Sequence, residues 1–205
     1  MKRASLALRP DPAYVEAFAQ IMARIEASLG KRLRETVSVY VAGGAAIHFY
    51  TGARFSEDID AAVSARFIPP TDLAVAYRAS DGKLRTLYFD TQYNESYGLL
   101  HENAHEDAIP IRLQGVDPAR LTVKLLSPVD LAVSKLSRFE DNDQGDIRAL
   151  AKAGLVDATS LRRRANEALP GYVGVVDRVR TSIDLACRMI GDVDGRTKDK
   201  KPSPG

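Results

Sequence analysis

Two adjacent glycines, Gly43-Gly44, stand between a β-branched and aromatic run, Val37–Ala42, and a short apolar stretch, Ala45–Thr51, closed by Gly52. The first run reads as a buried strand and the second as a short helix, so the chain must turn from strand to helix through bare backbone. A polar turn follows, and Ile59–Val63 reads as the second strand. A strand, a glycine turn, a helix and a second strand are the opening of an α/β layer, and this commits the first half of the chain to a sheet covered by helices.

The rest of the pattern fits that start. Ala13, Ala17, Ile21, Ile25 and Leu29 recur at helical spacing, with Asp11 as N-cap, Pro12 at the first helical position and Gly30 as the stop. Pro69-Pro70 breaks the chain, and Asp72–Tyr77 is expected to be a helix capped by Thr71. Leu84–Phe89 and Thr122–Leu126 read as strands, and the alternating Ile109, Ile111 and Leu113 as an edge strand, because Pro110 lacks a ladder donor. Thr91–Ala104 is a long polar connection.

From Ser127 only helices are expected. Ser127-Pro128-Val129-Asp130 carries a hydroxyl cap, a proline and an acid in order. Asp143–Asp146 opens a helix ending near Ala153, and Ala158–Leu169 and Val173–Ile190 follow. The fold class is therefore α+β: residues 1–126 form a mixed sheet with flanking helices, 127–192 a helical bundle, and 193–205 a charged, disordered tail.

The chemistry concentrates around the glycine turn. Backbone N–H groups at a helix start, free of side chains, can cradle phosphate oxygens. Arg54-Phe55-Ser56-Glu57-Asp58-Ile59-Asp60 follows, with Asp58 and Asp60 two residues apart on a strand. That spacing puts both carboxylates on one face, about 6–7 Å apart at the backbone. Such a pair suits Mg²⁺ and in-line phosphoryl or nucleotidyl transfer. Taken singly, a Gly-Gly pair is an ordinary tight turn and Asp-x-Asp a polar strand edge. Their order along the chain makes the constellation.

Gly43-Gly44, Arg54-Phe55-Ser56 and Asp58-Ile59-Asp60 resemble the minimal nucleotidyltransferases of the DNA polymerase β-like superfamily. The segment Leu126–Arg138 with Asp143–Leu150 is similar to the helical region of bacterial nucleotidyltransferase-like proteins that include abortive-infection toxins. The resemblance implies a minimal nucleotidyltransferase fold followed by a helical bundle. It implies that Gly43 and Gly44 hold the triphosphate, that Ser56 and Arg54 assist, and that Asp58 and Asp60 bind Mg²⁺. It also implies that Lys135 neutralises phosphate charge and that Asp146 sits at the edge of the active site. A third carboxylate is expected on a later strand; Asp107, sharing the parity of Ile109 and Ile111, is favoured over Asp90 and Glu106. The implied reaction moves an NMP from an NTP to a hydroxyl of RNA, such as a tRNA 3′ end, or of a protein. A toxin role with a cognate antitoxin accompanies it. The alternative is a non-catalytic nucleotide-binding or partner-binding module with a degenerate site.

Bland readings stand beside several residues. Lys135 flanks an apolar face and can snorkel, and Asp146 can serve only its helix start. His48 reads as core or surface. His101 and His105 lack the helix a zinc pair would need, and Cys187 reads as a small core residue. Arg162–Arg164, Arg178 and Arg180 give residues 158–190 a net charge of +3, a solvated or RNA-contacting face.

The chain as a whole, 205 residues, carries only +2, which excludes indiscriminate binding to polyanions. One cysteine excludes an internal disulfide and fits a reducing cytoplasm. No membrane span is expected, and Met1–Arg9 is basic without the apolar core of a leader.

Overall fold

The computed structural model describes residues 8–30, 35–95 and 98–198. They fall into two compact units. One comprises the residues up to Asn94 together with Ala108–Leu126, and the other Glu95–Asp107 together with the residues from Ser127 onward.

In the first unit, α1 (Pro12–Ser28) starts where Asp11 accepts hydrogen bonds from the Ala13 and Tyr14 N–H groups. It buries Tyr14, Phe18, Ile21, Met22 and Ile25 on one face. β1 (Val37–Val41) runs into α2 (Gly43–Thr51), and Gly52 ends that helix in the left-handed region, φ 63°. β2 (Asp58–Ile59) and β3 (Ala61–Val63) are two halves of one extended segment that changes partners at Asp60. β3 pairs antiparallel with β1, while β2 pairs parallel with β5 (Leu84–Phe89). β4 (Ala74–Arg78) completes a hairpin with β5. β6 (Ile109–Ile111) and β7 (Leu121–Leu125) close the four-stranded sheet in the order β3-β1-β7-β6, beside the three-stranded β2-β5-β4. Pro110 is on the edge strand, as its missing N–H requires.

β4 corrects the expected helix at Asp72–Tyr77. Leu73, Val75, Tyr77 and Ala79 are buried and the residues between them exposed, a period of two that the alanines diluted. The outward Ala74, Ala76 and Arg78 leave that side of the hairpin open, and its inner side packs on α1.

The second unit contains α3 (Pro128–Ser134), α4 (Asp141–Lys152), α5 (Ala158–Ala168) and α6 (Val176–Lys198). α4 and α5 pack on α6, and α3 packs on α5, burying Leu131, Val133, Leu136, Ile147, Leu150, Leu161, Val179, Ile183 and Ile190. Ser127 caps α3 through the Asp130 N–H. α4 is capped three residues before Asp143, the expected cap: Glu140 is its N-cap, and Asp143 is the third helical residue of a reciprocal capping box. α6 runs past Ile190 to Lys198, because extending a formed helix costs far less than nucleating one. Residues 193–198, expected in the tail, are thus helical. The remainder of that tail, 199–205, and the basic first seven residues lie outside the described residues.

Candidate functional site

The start of α2 has no side-chain cap, since Ala42 precedes it. The space a cap or any Cβ would fill belongs to other groups. Gly43 has φ +57°, and a Cβ there would overlap the Asp60 carboxylate. A Cβ on Gly44 would meet the Ser56 hydroxyl, and Arg54 Nη2 at 2.7 Å. The two glycines are therefore required by close approach. They bring the helix's first N–H groups, which lack intrahelical partners, against Arg54, Ser56 and Asp60.

The carboxylates are held from the sheet. The Ala42 N–H donates to the Asp60 carbonyl at 2.8 Å, which fixes Asp60 where the segment passes from β2 to β3. Ser56, itself buried, donates its hydroxyl to Asp58 Oδ1 at 2.7 Å. Asp58 and Asp60 remain half-buried. Asp58 is in register with Tyr88 on β5, and Ile59 with Phe89. The Asp90 N–H then donates to the Ile59 carbonyl at 3.1 Å, so the next step of the same register puts Asp90 alongside Asp60. Asp58 foremost, with burial and then Asp90, Glu57 and Asp60 adding to it, holds the Tyr88 phenol above its ordinary pKa.

The loop carrying Arg54 and Ser56 is pinned by His48. Its Nε2 accepts the Asp11 N–H at 3.0 Å, so Nδ1 carries the proton and donates to the Arg54 carbonyl at 2.7 Å. Burial pushes the imidazole below its usual pKa, which keeps it neutral. Around it stand Tyr14 at 4.3 Å and Phe55 at 4.8 Å between ring centroids. Arg85, paired through both nitrogens with Asp81, lies 4.0 Å over the Phe55 ring. Among the described residues the buried Tyr14 and Tyr77 hydroxyls find no hydrogen-bond partner, and burial raises the pKa of both.

Lys135 and Asp146 meet in the second unit, with Nζ 3.1 Å from Asp146 and 3.4 Å from Asp143. Arg138 forks onto both Asp143 oxygens at 2.8 and 2.9 Å. Burial alone would raise the Asp143 pKa, but Arg138 and Lys135 outweigh it and the pKa falls.

Asp107, expected as a third metal ligand, is committed otherwise. It lies in the turn before β6 rather than on the strand, groups with the second unit, and pairs with Arg164 at 2.7 Å. Arg164 also forks onto buried Asp130. Among the described residues no three His, Cys, Asp or Glu side chains gather as a metal-holding group. His105 pairs with Glu95 at 2.8 Å, and Cys187 is buried with its thiol toward the Ala158 carbonyl. Arg162 is engaged by Asp184 at 2.6 Å.

A family model described as a nucleotidyltransferase of unknown function (DUF6036) matches residues 16–182. The chain belongs to this nucleotidyltransferase family. Comparison with curated proteins and with solved structures gave no match. The matched span contains the glycine turn, the carboxylate pair and the Lys135–Asp146 pair. Among the described residues, no helix is long and apolar enough to cross a membrane.

The donor set in this nucleotidyltransferase fits a hard divalent ion. Asp58 and Asp60 offer only oxygens, and Mg²⁺ commonly takes one or two carboxylates and completes its shell with substrate phosphates and water. His48 escaped the sequence reading as a positioning residue. Its contacts reach 37 residues back to Asp11 and 6 forward to Arg54, and no local pattern announces that. The place of Asp90 became visible only through the β2–β5 register.

Proposed function

We propose that the protein is a Mg²⁺-dependent nucleotidyltransferase that moves an NMP from an NTP to a hydroxyl acceptor, RNA such as a tRNA 3′ end or a protein. The observation carrying this reading is the contact of Gly43 with Asp60 and of Gly44 with Ser56 and Arg54. It joins phosphate-binding backbone to metal-binding carboxylates in one constellation. In the proposal the α2 N-terminus and Arg54 hold the triphosphate, Ser56 fixes the Asp58 carboxylate, and Asp58 and Asp60 hold Mg²⁺. In the proposal the acid beside them is Asp90 rather than Asp107, a choice that the β2–β5 register supports. Bound Mg²⁺ would supply charge neutralisation at the phosphates and acidify the attacking hydroxyl. The acceptor oxygen bonds to the α-phosphorus as pyrophosphate leaves, and the protein's part is positioning and electrostatics.

By family resemblance we assign Lys135 and Asp146 to the same reaction, and their 3.1 Å contact supports treating them together. The resemblance also supports a toxin role, with a cognate antitoxin as partner and the cytoplasm as its place.

Incubation with each labelled NTP, Mg²⁺ and cellular RNA or lysate tests the reaction. Label is expected on RNA or protein, and is expected to vanish in Asp58→Asn with Asp60→Asn. Label surviving that double change overturns the metal assignment. Binding of Mg-NTP without transfer to any acceptor pool favours the second reading, a nucleotide-binding module. The pairing of Asp107, the expected third ligand, with Arg164 supports that second reading.

A further inference from the structure

The open side of the β2-β5-β4 sheet carries an aromatic ring that neither the core nor the proposed phosphate site uses. Along β5 the buried residues Leu87 and Phe89 alternate with outward Leu84, Thr86 and Tyr88. Tyr88 is 44% exposed, and among the described residues no other aromatic side chain is as open. Its two cross-strand neighbours differ sharply. On β2 it faces Asp58, a proposed metal ligand, and on β4 it faces Ala74. Neighbouring strands lie about 4.8 Å apart, so Asp58, Tyr88 and Ala74 form one row on one face. Ala74 has only a methyl group and leaves the ring uncovered; Ala76, next along β4 on the same side, is equally short.

We propose that Tyr88 is the stacking platform for a nucleobase whose phosphates lie at Asp58, Asp60 and the glycine turn. This rests on the phosphate and metal reading given above. The position selects a base over other parts of a nucleotide. Asp58 is the ring's neighbour across the strand pair and Asp90 lies two residues on along the same side, and their negative charge repels phosphate wherever no cation intervenes. A flat, uncharged group meets no such penalty and gains aromatic contact. The step from the Asp58 position to its neighbour on β5 is one strand spacing, a gap that a ribose bridges. The base has two possible sources, the incoming NTP or the terminal nucleotide of an RNA acceptor. Stacking recognises either, because every base has a π-face.

The test uses the full chain in three binding titrations with Mg²⁺ present: each of ATP, GTP, CTP and UTP, inorganic tripolyphosphate, and a short single-stranded RNA with a free 3′-hydroxyl. Tyr88→Ala, Tyr88→Phe and Tyr88→Trp are compared with the wild type, with thermal unfolding to verify that each folds. Tyr88→Ala is expected to weaken at least one NTP, or the RNA, by about 5- to 100-fold. Tripolyphosphate binding is expected to stay unchanged, and Tyr88→Phe and Tyr88→Trp to bind as the wild type does. Whichever arm falls names the source of the base. Wild-type affinity of Tyr88→Ala in both nucleotide arms overturns the platform. So does an equal loss for tripolyphosphate, or a Tyr88→Phe variant as weak as Tyr88→Ala. Failure of the wild type to bind Mg-tripolyphosphate is a separate result, which removes the phosphate reading and the platform with it.

Discussion

The two units bury their carboxylates to different depths. In the second, Asp143 and Asp146 are almost wholly buried and answered by cations: Lys135 lies within 3.4 Å of both, and Arg138 forks onto Asp143. Asp130 is likewise buried against Arg164. In the first, Asp58 and Asp60 are only half-buried; the Ser56 hydroxyl orients Asp58, and Asp60 packs against Gly43. Matched buried charges hold a helical bundle in one arrangement. Half-buried carboxylates beside bare helix N–H groups suit a ligand that brings both a cation and an anion, as Mg-NTP does.

The contrast is broken or sharpened most strongly at Lys135. Lys135→Ala removes a cation from within 3.4 Å of two buried carboxylates, Asp143 and Asp146, and denaturant unfolding should show a loss of about 3–5 kcal/mol. A variant as stable as the wild type would mean that the cluster is not a structural one. Next comes Gly43→Ala. Its positive φ should cost about 1–2 kcal/mol, and its methyl must displace Asp60, so transfer activity should fall much further than stability does. Equal falls in both would detach the glycine from the site.

Ser56→Ala is a smaller probe. It removes one hydrogen bond, worth about 0.5–1.5 kcal/mol in unfolding, and should weaken apparent Mg²⁺ affinity while leaving the second unit untouched. The smallest effect is a pH dependence at His48. Its folded pKa is lowered from 6.5 by burial. The neutral-ring contribution is therefore fully present above about pH 6.5, the ordinary histidine value. It is lost as pH falls from there through the lowered folded value, because the unfolded chain takes up the proton first. Unfolding free energy measured from pH 8 to 5 should fall accordingly. His48→Gln should flatten that fall, since an amide can both accept from Asp11 and donate to Arg54.

What could be read from sequence follows physical range. α1, β1, β5, β6 and β7 show in caps and periodicity, which are local. β4 does not, because Ala74 and Ala76 erase the contrast between its two faces, and Thr71-Asp72 imitates a helix cap. Gly43, Gly44, Ser56, Asp58 and Asp60 could be grouped from order along the chain, and the fold brings them into contact. Strand parity favours Asp107, but the strand starts only at Ile109, and Arg164, 57 residues away, takes its carboxylate. The places of His48, Asp90 and Tyr88 depend on tertiary register, which no spacing rule contains.

The most direct test of the central claim is calorimetric titration of NTP into the wild type and into Asp58→Asn with Asp60→Asn, each with Mg²⁺ and with chelator. Binding to the wild type that requires Mg²⁺, and disappears in the folded double variant, is the predicted result. NTP binding that is indifferent to both chelator and the two aspartates would contradict the account.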